Sequence, residues 1–139
     1  MKKIFLILIS FYSAGSGLAK TTQIKNHFYP KEAIIQAILD HKQLQQYFHP
    51  EIPGRVPLVL SNHGIPRRLK LKKFNKDVLI VADRKIKGAY LRFTLFDCKN
   101  GNYCNIAFEY PIEKVTGGTG VYISSDGSFQ LEKTEISER

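Results

Sequence analysis

Three kinds of hydrophobic pattern follow one another along this chain. The first is a solid run, Ile4 to Phe11, broken only by Ser10. The second recurs every three or four residues: Ile34, Ala37, Ile38, His41, Leu44, Gln45 and Phe48, widened by Ile35, Leu39 and Tyr47. That is the spacing of one helical face, and it predicts a single helix over 30–48. Pro30 suits a first helical turn, and Glu32 suits the positive end of the helix dipole. His49-Pro50 ends the helix, because the residue before a proline is pushed out of the helical region. After a turn-rich link, Pro50-Glu51-Ile52-Pro53-Gly54, the period falls to two. Strands are expected at 56–60, 69–74, 89–96, 103–110, 119–124 and 128–136. Val78 to Ala82 is continuously apolar and reads as a strand covered on both faces. One helix followed by about six strands on short links predicts an α+β domain over 30–139, the helix packed on a bent antiparallel sheet.

The opening run is short for a membrane span, which takes about 20 apolar residues. It follows Met1-Lys2-Lys3 and leads into Ser13, Gly15, Ser16, Gly17 and the triplet Gly17-Leu18-Ala19. Positive start, apolar middle and small-residue exit make a secretory signal peptide over 1–19, with cleavage after Ala19. Residues 20–29 read as a linker or arm. The protein is then exported, periplasmic or extracellular, with no transmembrane segment in the mature chain. Nucleic acid is not expected as a partner there.

The closing stretch Gly127-Ser128-Phe129-Gln130-Leu131 follows the hairpin turn Ser125-Asp126-Gly127. With the helix-then-strands order, it resembles the last strand of cystatin-like and nuclear-transport-factor-2-like domains. The resemblance implies a long helix in the concave face of a bent sheet. It implies no activity, because fold does not fix function. The Gln-x-Val-x-Gly hairpin of protease-inhibiting cystatins is missing.

Only two cysteines occur in the 139 residues, so the core must carry the fold. Between them, Cys98-Lys-Asn-Gly-Asn-Tyr-Cys104 holds the hairpin signal Asn100-Gly101. A two-residue turn would place Cys98 opposite Tyr103 and keep the thiols apart. A three-residue or bulged loop would place Cys98 opposite Cys104, and a disulfide is expected on that register. The formal net charge is +9, with Lys2 and Lys3 in the leader. The positive residues bunch at Arg67, Arg68, Lys70, Lys72, Lys73 and Lys76, then at Arg84, Lys85 and Lys87. Such a stripe either draws acidic partners or keeps an edge strand from aggregating.

Catalytic patterns are thin. His27, His41, His49 and His63 never fall at the spacing that puts two metal ligands on one helix face, so no metal or cofactor is implied. Ser61 and His63 sit too close on one strand to act as nucleophile and base. Val115-Thr116-Gly117-Gly118-Thr119-Gly120 precedes a strand and reads as a flexible loop, able to bind but not to cradle phosphate as a helix start would. His41 is the one polar group expected to face a helix–sheet pocket. The favoured expectation is a non-enzymatic binding protein, such as an inhibitor or immunity protein against an envelope toxin or hydrolase. Its contacts would be Arg67, Arg68, Lys70, Lys72, Gly117 and Gly118. The alternatives are a binder of anionic envelope polymers or lipid surfaces, and a small enzyme or ligand binder using the His41 pocket.

Overall fold

A computed structural model describes residues 30–99 and 101–139. The expected leader at 1–19 and arm at 20–29 lie outside the described residues, as do His27 and Asn100.

Two helices stand where one was expected: α1, Lys31–Leu39, and α2, Lys42–Phe48. Asp40 leaves the first helix, and His41 takes extended backbone (φ −63°, ψ 131°) as the N-cap of the second. Its Nδ1 accepts the Gln43 N–H at 3.2 Å, satisfying a donor that a helix start otherwise leaves open. Gln45 spans the break, its amide donating to the carbonyls of Leu39 at 2.9 Å and His41 at 2.7 Å. The hydrophobic spacing runs through undisturbed, with Ile34, Ile35, Ile38, Leu39, Leu44 and Phe48 all buried. α2 ends where the proline demands, with His49 in left-handed backbone.

Among the described residues nine strands follow: β1 (Val59–Ser61), β2 (Lys72–Lys73), β3 (Lys76–Asp77), β4 (Leu79–Val81), β5 (Arg92–Asp97), β6 (Tyr103–Tyr110), β7 (Val115–Ile123), β8 (Phe129–Leu131) and β9 (Glu135–Glu138). β5, β6, β7 and β8 form an antiparallel meander, and β9 pairs back onto β7. The α+β class with an antiparallel sheet therefore holds. One pairing departs from the meander: β1 and β4 run parallel. β1 also runs beside the start of β5, through a parallel bridge between Leu60 and Leu91. β4 was expected to be covered on both faces, yet Leu79 is 46 % exposed, so one face of β4 is open at that position.

Two register shifts shape the large sheet. Phe93 lies opposite Phe108, but Leu95 lies opposite Ala107, so Thr94 is an extra residue in β5. The bulge turns Leu95 outward, 46 % exposed, and brings Phe96 onto the core beside Phe93, ring centroids 5.9 Å apart. It also slides the ladder so that Asp97 faces Asn105, which aligns Cys98 with Cys104. The two are bonded, Cα atoms 4.0 Å apart. Without the bulge, the register at Phe93 would carry Cys98 to Tyr103, the non-bonding alternative read from the sequence. The second shift divides the expected strand 128–136 into β8 and β9. At the gap the Thr134 hydroxyl donates to Thr119 Oγ1 at 3.1 Å.

The buried faces of α1, α2, β1 and the inner face of the large sheet make one contiguous hydrophobic cluster. Lys73 closes its rim. Its side chain is only 10 % exposed, with Nζ 3.1 Å from Asp40 and 2.6 Å from Gln45 Oε1, and it lies over the Phe48 and Phe74 rings. Burying that stem covers apolar surface while the charge stays paired.

Candidate functional site

The parallel pairing of β1 with β4 matters most for function. Parallel neighbours end on the same side, so the loop after Ser61 and the loop after Val81 leave the sheet together. They are tied at their roots. Asn62 N–H donates to the Val81 carbonyl at 2.9 Å, and the Ser61 hydroxyl donates to Asp83 Oδ1. Ser61 is fully buried and also accepts the His63 N–H at 3.0 Å. Its hydroxyl is therefore committed to holding two loops, not poised for attack, and the His63 ring stands exposed. Arg92 reaches Asp83 at 3.6 Å and Glu109 at 3.8 Å, linking this root to the large sheet.

The first loop carries Arg67 and Arg68. The second carries Arg84, Lys85 and Lys87, the first two on a 3₁₀ turn over Asp83–Lys85. All five are exposed. None forms an ion pair among the described residues. Two basic runs separated in sequence thus leave the sheet from adjacent roots, and the two loops together are called the basic pole below. Ile65 under the first loop and Ala82 and Ala89 at the ends of the second are buried and fix its shape.

The other candidates separate from it. Lys70 and Lys72 point outward opposite Leu69 and Leu71, as their alternation predicts, but they lie against α1. The Lys70 N–H donates to Glu32 Oε2 at 2.6 Å. The Gln36 amide takes both backbone groups of Lys72, at 3.0 Å and 2.8 Å, as a neighbouring strand would. The Lys72 ammonium is spent on Asp77 at 2.8 Å and holds that carboxyl below its ordinary pKa.

Gly117 and Gly118 are not in a loop. They lie inside β7, two strands beyond β5, so the expected flexible loop is corrected. A Cβ on Gly117 would overlap the Phe108 ring directly opposite, and one on Gly120 would overlap the Tyr103 ring. Glycine is used here for close approach of aromatic rings, a role that a glycine-rich sequence alone does not distinguish from a mobile loop.

His41 is likewise corrected. It caps α2 and lines neither of two surface depressions. One depression, about 490 Å³, is lined by Gln36, Asp40, Lys72, Lys73, Phe74 and Asn75. The other, about 440 Å³, lies on the outer face of the large sheet over Gly118, between Leu95 and Glu135. Near the opposite end of the chain's core, the largely buried Arg55 donates to Glu113 at 2.7 Å and to the Phe48 carbonyl at 3.2 Å, pinning the end of α2 to the β6–β7 turn. His49 sits 3.1 Å from Glu51 and 3.8 Å from Glu113. Among the described residues no group of three or more His, Cys, Asp and Glu side chains is placed to hold a metal ion. No described helix is long and apolar enough to cross a membrane.

Comparison with known proteins found no matching protein family, no matching curated protein and no matching solved structure.

Proposed function

We propose that this protein is exported and acts as a non-enzymatic binding protein that docks an acidic partner on its basic pole. One observation carries the reading: Arg67, Arg68, Arg84, Lys85 and Lys87 stand exposed and without ion pairs among the described residues, on two loops whose roots are tied together by Ser61 and Asp83. Fixed like charges gathered on rigid loops speed encounter with an oppositely charged surface and select for it. The Cys98–Cys104 bond suits an oxidising compartment outside the cytosol. With an acidic protein as partner, the role is that of an inhibitor or immunity protein against an envelope toxin or hydrolase. A second reading, adsorption to an anionic envelope polymer or lipid surface, is favoured by the lack of any large exposed apolar side chain in either loop, since protein interfaces gain much of their strength from such anchors.

The test is affinity capture from envelope and secreted fractions at low and high salt, using the chain from Lys20 to Arg139 kept oxidised. Capture that is lost when the five cations are changed to glutamine supports the pole. Capture that survives those changes at both salts rejects it.

A further inference from the structure

The outer face of the large sheet carries a second feature, apart in sequence from the two basic loops. The ladder sets Leu95, Ala107, Gly118 and Glu135 side by side across β5, β6, β7 and β9. Side chains two residues apart share a face, so Asp97, Asn105 and Gly120 form the next row. Leu95, turned outward by the bulge at Thr94, stands on one side, and Lys133, Glu135 and Ser137 stand on the other. Between them lies the depression of about 440 Å³. The geometry points to a binding groove for an extended polysaccharide chain.

Gly118 and Gly120 leave the floor of the groove as bare backbone. Packing does not demand glycine at 118, where a Cβ would meet the Ile106 carbonyl at 3.4 Å, an ordinary contact. What its missing side chain does is keep the floor open, so that a ligand can approach the backbone closely.

At the Gly120 end the floor runs into two aromatic rings. Tyr122, two residues further along the same face, is 52 % exposed. Its partner across the ladder, Tyr103, lies over Gly120 and donates its hydroxyl proton to Glu132 at 3.2 Å. The two rings meet at 85° with centroids 5.6 Å apart. A sugar ring can lay its C–H face on the negative face of such an aromatic and keep its hydroxyls at the edge for hydrogen bonds. From Thr116 to Tyr122 the face extends about 20 Å, at a rise of about 3.4 Å per residue, a length that takes a run of sugar rings.

The lining suits those hydroxyls. Asn105, Thr116 and Ser137 all border the depression, and none of the three side chains is hydrogen-bonded among the described residues. Carboxamides and hydroxyls both donate and accept, as sugar hydroxyls do. Lys133 and Glu135 lie 3.3 Å apart and offset each other's charge, so this wall favours neither an anion nor a cation.

Sedimentation of the oxidised protein with insoluble chitin, cellulose or peptidoglycan, at low and high salt, tests the groove. The protein should sediment with at least one of them and stay bound at high salt, because the contacts are uncharged. Tyr122→Ala should weaken that binding about tenfold. Gly118→Val puts a strand-compatible side chain on the floor and should abolish it while the circular dichroism spectrum is kept. Asn105→Ala gives a second groove variant that leaves the backbone of β7 untouched and should also weaken binding. Leu79→Ala, an exposed change on β4, should leave it unaltered. Retention by none of the three polymers overturns the proposal. So does retention that high salt releases, that Tyr122→Ala and Asn105→Ala both leave intact, or that Leu79→Ala reduces equally. If size-exclusion chromatography shows a dimer that Gly118→Val splits, the groove holds a second copy of this chain and the polysaccharide proposal falls.

Discussion

Tyr110 closes β6 with its side chain fully buried, its ring edge-on to Phe48 with centroids 5.5 Å apart. Its hydroxyl is buried and makes no hydrogen bond of good geometry among the described residues, although the Arg55 guanidinium lies near enough to act on it through charge and a weak, poorly aligned hydrogen bond. Burial raises the phenol's pKa, and Arg55 pulls it back only in part. Arg55 itself is opposed by burial but held charged by Glu113 and by Tyr110, with the Glu113 carboxylate its close partner at 2.7 Å. An unpaired buried hydroxyl costs about 1–3 kcal/mol of desolvation. Tyr110→Phe should therefore leave the urea midpoint at neutral pH unchanged or raise it, by up to about 1 kcal/mol in stability. A drop greater than that would reveal a partner that the geometry lacks. The pH sign follows from the raised pKa. The folded chain holds the phenol proton more tightly than the unfolded chain, so this contribution is intact below the ordinary tyrosine value of about 10. It is lost as pH rises through the folded value. Stability of the phenylalanine variant should fall less steeply above about pH 10.

At the scale of elements, the glycines of β7 behave differently from one another. Gly117 lies under the Phe108 ring, whereas a Cβ on Gly118 would sit 3.4 Å from the Ile106 carbonyl. Gly117→Ala forces a core ring to move and should cost about 1–3 kcal/mol. Gly118→Ala should cost less than about 1 kcal/mol, within the range of surface changes. Thermal melts of the two variants side by side check this, and equal losses would mean that the ring packing is not what selects glycine at 117. The same strand shows what sequence could and could not reveal. Period-two alternation over Val121, Tyr122 and Ile123 marked its second half, but the three residues from Thr116 to Gly118 carry too little apolar signal to show the first. In β5 the alternation Leu91, Phe93, Leu95 is regular in sequence, yet the bulge at Thr94 sends Leu95 out and Phe96 in. Both are apolar, so either register was legible and only pairing with β6 decides. The helix break at Asp40 was hidden for a similar reason. His41 caps α2 from a position that fits the helical spacing of its neighbours.

Across the whole molecule, the features legible in advance were local ones. The Ser125-Asp126-Gly127 turn closes as its residues dictate, with Asp126 accepting the Ser128 N–H at 3.0 Å and hydroxyl at 2.7 Å. The cysteine pair bonds across a hairpin only a few residues long. The parallel pairing of β1 with β4 joins segments separated by a loop, the β2–β3 hairpin and its turn, and nothing local encodes it. The two basic loops inherit that illegibility: their cations were evident, but not that the loops would leave the sheet from adjacent roots. Helices, the parallel pair and the large sheet nevertheless share one hydrophobic cluster, so they should unfold together. The chain has no tryptophan and seven tyrosines, so tyrosine fluorescence and far-ultraviolet circular dichroism can follow the side chains and the backbone. Their urea transitions should coincide. Reducing Cys98–Cys104 frees a short ring whose closure contributes about 2 kcal/mol by chain entropy. With reductant both transitions should move to lower urea by that amount and still coincide. Transitions that separate on reduction would show that the disulfide holds the β5–β6 hairpin as its own unit, and that the shared core does not bind the molecule into one.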